Sequence, residues 1–247
     1  SETSPTQRVG AEPVDELTRI EHQAPMLSLN SSLELSEVED FHRFIERNAD
    51  GRRFRYMVEP KLDGLSVEIV YRDGTFVYGA TRGDGRMGED ISRNLKTIPA
   101  IPLELRTEGT PPAFLAVRGE VFMTRSGFRE LNRTRTERGE EPFANPRNAA
   151  SGTIRQLDPK NTAGKPLDIF FYDILSSDRT DFASHTEVLE LFPQWGLKTN
   201  PLNEVCTTVA ELSAYRERLT EQRDELDYEI DGIVIKIDSY EFREDLG

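Results

Sequence analysis

Cysteine is almost absent from this chain. Cys206 stands alone among 247 residues, so no intramolecular disulfide can form. That thiol and three histidines are also too poor a set for a structural zinc site, which needs four clustered ligands. Cys206 itself is expected to be an ordinary half-buried thiol. Long apolar runs are missing too: none approaches the ~20 residues that span a bilayer. Ser1 to Gly10 lacks the basic and apolar regions of a secretory signal. These absences lead to the expectation of a soluble, cytoplasmic protein. Positive charge is scarce, with 31 Lys and Arg against 45 Asp and Glu and a net charge of -14. A generic basic nucleic-acid binder is thereby disfavoured, because such affinity comes mostly from cations neutralising phosphates. No Gly-x-Gly-x-x-Gly opens a helix after a strand, which argues against a Rossmann-type dinucleotide site. Internal repeats and low-complexity tracts are absent.

The length allows one large domain or two small ones with a substantial core. Residues 1–30 read as an extended, Pro-punctuated lead-in. Ser36 and Glu39 suggest a capping box for a helix to about Asn48, with Val38, Phe41, Phe44 and Ile45 on one face. Strands are expected over Phe54–Glu59, Leu65–Tyr71, Phe76–Ala80, Leu115–Met123, Asp168–Leu175 and Ile233–Ile237, with Asp73-Gly74 as a hairpin turn. Helices are expected over Arg125–Glu137, Asn145–Leu157, Thr186–Trp195 (ended by Gly196) and Val209–Leu226. Hairpins mixed with helices, without a regular βαβ alternation, indicate an α+β class with antiparallel sheets. Arginines crowd the centre at Arg118, Arg125, Arg129, Arg133, Arg135, Arg138, Arg147 and Arg155. That stretch is the expected place for nucleotide or DNA phosphates. The acidic runs Glu34–Glu46 and Glu217–Asp231 read as solvated helix faces.

Lys61-Leu62-Asp63-Gly64 closes an apolar-alternating run and puts one lysine at a strand end between Glu59 and Asp63. An amine with a reference pKa of ~10.4 serves covalent chemistry only where it can lose its proton and attack. Alone, the motif is also an exposed lysine in a turn. Further along come Thr81-Arg82-Gly83-Asp84-Gly85, Val117-Arg118-Gly119-Glu120, Asn145-Pro146-Arg147-Asn148 running into Gly152, Arg155 and Gln156, and Asp231-Gly232-Ile233-Val234-Ile235-Lys236. Alternation places Glu59 and Lys61 on one strand face, and Val234 and Lys236 opposite the face of Ile233, Ile235 and Ile237. Gly119 within a strand suggests that something approaches the backbone there.

This ordered set resembles the nucleotidyltransferase motifs of DNA ligases, specifically the adenylation domain of the bacterial NAD-dependent enzymes, from Ser4 to Gly247. The resemblance implies a nucleotidyltransferase fold of the DNA ligase and mRNA-capping kind, with residues 1–30 as linker and start of the domain and 31–247 as its core. It implies that Lys61 attacks NAD to form lysyl-AMP, helped by Asp63, and that the AMP passes to the 5′-phosphate of nicked DNA in replication and repair. Nucleotide contacts would come from Ser28, Leu29, Glu59, Leu62, Arg82, Glu120, Tyr172 and Lys236. Mg2+ or Mn2+ would sit at Glu120 and Asp231, and Arg147, Arg155 and Arg223 would touch phosphate or the nick. Several residues keep a plain alternative: Arg82 in a tight turn, Tyr172 as a core tyrosine, and the three arginines as surface cations. Expected partners are nucleotide and, in the full-length enzyme, nicked double-stranded DNA, with no membrane and a monomeric chain. Ser4-Pro5-Thr6-Gln7-Arg8-Val9-Gly10 resembles the joint to an N-terminal module that grips nicotinamide mononucleotide. Neither that module nor the downstream OB, zinc, helix-hairpin-helix and BRCT domains is in this sequence. Rival expectations are an ATP-dependent or RNA ligase core, or a non-catalytic nucleotide-binding fragment. The Asn145–Gln156 block and Ser4–Gly10 favour the NAD branch.

Overall fold

Period-two alternation and one tight turn build the larger sheet. β3 (Leu65–Arg72) and β4 (Thr75–Thr81) form a hairpin. Its two central residues, Asp73 (φ 47°) and Gly74 (φ 75°), both take the left-handed conformation that suits the right-handed twist of paired strands. β6 (Phe114–Met123) and β7 (Leu167–Ser177) complete a four-stranded antiparallel sheet of order β4-β3-β6-β7. Val67, Ile69, Tyr71, Leu115, Val117, Val121, Ile169 and Phe171 are buried in one core on one face. The register pairs Ser66 with Glu120 and Glu68 with Arg118, so a polar row lies on the opposite face.

The structure described here is a computed structural model covering residues 14–27, 35–106 and 111–246. A smaller antiparallel sheet has the order β8-β2-β9, from β8 (Glu204–Cys206), β2 (Tyr56–Leu62) and β9 (Ile230–Ile237). β2 is a wall between two cores. Its Met57 belongs to the core of the large sheet, whereas Tyr56 and Val58 pack with Ile45, Leu212, Tyr215, Leu219 and Phe242. Those last residues come from α1 (Leu35–Asn48), α6 (Val209–Gln222) and α7 (Tyr240–Leu246). A two-stranded ribbon joins β1 (Arg19–Glu21) to β5 (Met87–Glu89), and α2 (Ser92–Leu95) follows it. The remaining helices are α3 (Arg125–Glu137), α4 (Pro146–Ile154) and α5 (His185–Leu191). The caps are local: Asn145 accepts from the Asn148 N–H ahead of Pro146, and Thr208 with Glu211 forms a reciprocal capping box on α6. The expected α+β class with antiparallel sheets holds throughout the described residues.

Several expectations are corrected in detail. Ser36 lies inside α1 and so does not cap it. α1 buries Ile45 fully and Val38 in part, seven residues apart and so almost in line along the helix, while Phe41 and Phe44 lie to one side of that line and stay exposed. Cys206 is fully buried, as β8 packs between β2 and α6. The Val209–Leu226 helix stops at Gln222 and gives way to a 3-10 turn, Arg223–Glu225. Gly119 makes room for the core, since a Cβ there would come within 2.6 Å of the Ile169 side chain. Arg133 and Arg135 of α3 are engaged locally: Arg133 pairs with Glu130 and Glu137, and Arg135 with Glu140 just past the helix end. No helix among the described residues is long and apolar enough to cross a membrane.

Candidate active site

Lys61 sits at the exposed end of β2, where the sheet is irregular. Pro60 pairs with Ile233 and Leu62 with Ile230, so Lys61 alone faces the two residues Asp231 and Gly232. Gly232, at φ 149°, absorbs this bulge. The Asp231 carboxylate thereby reaches Lys61, whose Nζ lies 2.7 Å from both its oxygens. Asp63, expected to serve the lysine, turns instead to Arg147 at 3.2 Å. The glycine of the motif is required by space, as a Cβ on Gly64 would stand 2.4 Å from the Val121 carbonyl oxygen.

Two residues inward on β2, Glu59 is buried and ion-paired. Its Oε1 accepts from His185 Nε2 at 2.9 Å and lies 2.8 Å from Lys236 Nζ. Burial alone would raise this carboxyl, but Lys236 and the His185 hydrogen bond outweigh it and hold the group at about 2. The same lysine stands 5.3 Å from the ring centroid of Tyr172, and so does the Arg118 guanidinium. Tyr172 bonds Ser66 Oγ at 2.8 Å, and burial pushes its hydroxyl up to about 12. Glu120 lies on the polar row beside Arg118 and accepts the Gly64 N–H. Burial pushes its carboxyl to about 8, against the opposing pull of Arg147, Arg118 and Lys61. A lysine with a carboxylate at bonding distance, half-buried cations, an aromatic face and a carboxyl raised by burial therefore converge where β2 and the larger sheet meet. Such a set can orient an amine and neutralise a phosphate.

A family model described as the NAD-dependent DNA ligase adenylation domain matches residues 14–247. The chain belongs to this family. It is 51% identical over 244 residues to a protein named DNA ligase from Haloarcula marismortui, covering 99% of this chain and 35% of that one. The DNA ligase of Haloferax volcanii is 52% identical over 99% of this chain and 34% of its own length. That of Bacillus cereus is 47% identical over 100% of this chain and 36% of its own. The chain thus spans about a third of these relatives. Membership settles the choice among nucleotidyltransferase branches for the NAD-dependent one.

Within this adenylation domain, Lys61, Asp63, Glu120, Arg147 and Asp231 gather at the bulged end of β2, and Glu59, Tyr172 and Lys236 lie deeper. Arg82 occupies the glycine-bracketed turn after β4. Its Nε donates to the Met26 carbonyl at 3.3 Å, and Asp84 caps the turn by accepting from the N–H groups of Arg86 and Met87. Gly83 is held at φ 54°, with the Met87 carbonyl too close for any side chain. Arg155 pairs with Glu89 of β5 at 2.6 Å, and Arg223 pairs with Glu229 at 3.7 Å, each on its own flank. Leu62 ends β2 and packs against the smaller core. Ser28 and Leu29 fall outside the described residues. No cluster of three or more metal-ligating side chains occurs among the described residues.

Two buried pairs escaped the sequence. His185 is fully buried, and its bond to Glu59 joins residues 126 apart. His22 lies 2.8 Å from the buried Glu68, and its Nε2 meets the Arg82 carbonyl at 3.0 Å. The one available signal was Glu68 itself, an ionisable residue within a buried strand, which implies a hidden partner.

Proposed function

We propose that this chain carries the adenylation step of a NAD-dependent DNA ligase, with Lys61 as nucleophile. The observation that carries the reading is the Lys61 amine, half exposed and held at 2.7 Å by Asp231, on the strand that carries Glu59 into its contacts with Lys236, with Tyr172, Arg118 and Glu120 beside them. The deprotonated amine attacks the adenylyl phosphorus of NAD. A nitrogen–phosphorus bond forms, the bond to the bridging oxygen breaks, and nicotinamide mononucleotide leaves. Asp231 aligns the amine and is its nearest carboxylate acceptor for the proton. Asp63 acts indirectly by fixing Arg147 beside the reacting end. Lys236 and Arg118 neutralise charge and frame the base against Tyr172, while Glu59 lies on the adenine side. Arg82 meets ribose or phosphate from the opposite turn. Ser28 and Leu29 are kept as nucleotide contacts on the strength of the family resemblance.

Mg2+ or Mn2+ suits this donor set. Glu120 carries a carboxyl that burial makes costly to ionise, so a divalent cation there gains a ligand and relieves that cost. Glu120 and Asp231 would hold the ion, which would supply charge neutralisation to the phosphates. In the whole protein the AMP passes to the 5′-phosphate of a nick, with Arg147, Arg155 and Arg223 holding DNA phosphates, and the 3′-hydroxyl displaces it. Prolonged incubation with excess NAD and Mg2+ tests the first step. Intact mass should rise by one adenylyl group in the wild type and not in Lys61→Ala. Labelling that persists in Lys61→Ala would place the nucleophile elsewhere.

A further inference from the structure

His185 touches two pocket residues from behind, without reaching the cleft itself. It opens α5 and is wholly buried. Its Nε2 lies 2.9 Å from Glu59 Oε1, and its Nδ1 lies 3.2 Å from the Tyr240 hydroxyl, with Asp173 at 3.9 Å. A carboxylate oxygen only accepts, so the 2.9 Å contact requires a hydrogen on Nε2. In the neutral ring with that hydrogen on Nε2, Nδ1 is an acceptor for the Tyr240 O–H. Lys236 Nζ lies 3.2 Å from the same Nε2 but has no lone pair to meet there, so its charge goes to Glu59 Oε1. Histidine and lysine thus share one oxygen of Glu59 and turn the carboxylate about it. Both contacts fall on Oε1 and neither on the second oxygen, Oε2.

We infer that His185 is a positioning residue for nucleotide selection: its Nε2–H, fixed by Tyr240, pins Glu59 Oε1 so that Oε2 presents an obligate acceptor to the exocyclic amine of the base. This rests on the proposed placement of adenine at Glu59. A carboxylate so held cannot donate, and it therefore favours a base edge carrying an amine over one carrying an oxo group. Without His185, Glu59 keeps only the Lys236 ion pair on Oε1 and can rotate about it, losing that preference.

The test compares AMP and IMP affinities by titration calorimetry on this chain, with thermal melting as a control. His185→Met, which fills similar volume without a donor, should weaken AMP about tenfold while changing IMP less than about twofold. His185→Gln, whose amide nitrogen can replace Nε2 as donor, should recover most of the AMP affinity. A merely structural role would weaken both nucleotides together, or leave His185→Gln as weak as His185→Met, and either result overturns the inference. Glu59→Gln separates the two layers. If it leaves the AMP-to-IMP ratio unchanged, the base placement is wrong and the inference falls with it. If it collapses the ratio while His185→Met does not, the placement stands and His185 has no part in it. Should the variants fail to fold, 15N spectra of histidine-labelled wild type decide the point: a protonated Nε2 on His185 supports the assignment, and a bare Nε2 overturns it.

Discussion

Removing the charge at Glu120 should stabilise the protein above neutral pH while weakening its ligand. The ordinary carboxyl value of 4.5 is displaced to about 8 because burial opposes ionisation more than Arg147, Arg118 and Lys61 favour it. A group whose folded-state pKa is raised contributes stability that is complete below its unfolded value. That contribution is lost as pH climbs to the folded value. The whole displacement corresponds to at most about 5 kcal/mol at ~1.4 kcal/mol per pH unit. Glu120 retains partial contact with solvent, which brings the expectation down to about 2 kcal/mol. Glu120→Gln keeps shape and an acceptor for the Gly64 N–H but cannot ionise. For a chain of this size its Tm advantage should be about 4–8 °C at pH 8 to 9. It should shrink steadily below that and vanish near pH 4.5. Melting curves of both proteins across this range, without nucleotide or divalent ion, read the effect directly. An advantage of equal size at pH 5 and pH 8, or none at pH 8, would refute the assignment of a carboxyl strained by burial. AMP affinity measured beside it should fall in the variant.

Gly64→Ala should cost about 2 kcal/mol or more, because its Cβ would stand 2.4 Å from a strand carbonyl that cannot yield as a side chain can; a chemical denaturation midpoint within error of wild type would contradict this. Binding of the chain to nicked duplex should be weak and fall steeply with salt, and Arg147→Ala should flatten the slope of log K against log salt by about 1. Anisotropy titrations giving tight, salt-insensitive binding would remove the arginines from that role.

The hairpin of β3 and β4 was legible in Leu65, Val67, Ile69 and Tyr71 and in Asp73-Gly74, since period-two burial and a left-handed turn are local signals. The start of α4 near Pro146 was legible in the same local way. Short pieces such as β1, β5 and β8 carry only three residues each, too few to show a period. The site divides along the same line. Lys61, Arg82, Glu120, Asp231 and Lys236 were visible as motif residues. That Lys61 would take Asp231 as its partner was not visible, since one bulge decides that pairing across 170 positions. His185 and His22 carry no motif, and their meaning lies wholly in what the fold brings beside them.

The wall formed by β2 has a consequence for how the molecule comes apart. Tyr56 and Val58 feed one core and Met57 the other, so neither core can open without stripping the strand that closes the second. The two halves are therefore joined into one cooperative unit. The amides of Met57 and Val58 should exchange with solvent only through global unfolding, and heating should give a single transition. Lys61 is carried at the bulged end of this same strand. Backbone expected to open only on global unfolding thus continues, three residues on, into the irregular pairing opposite Asp231 and Gly232.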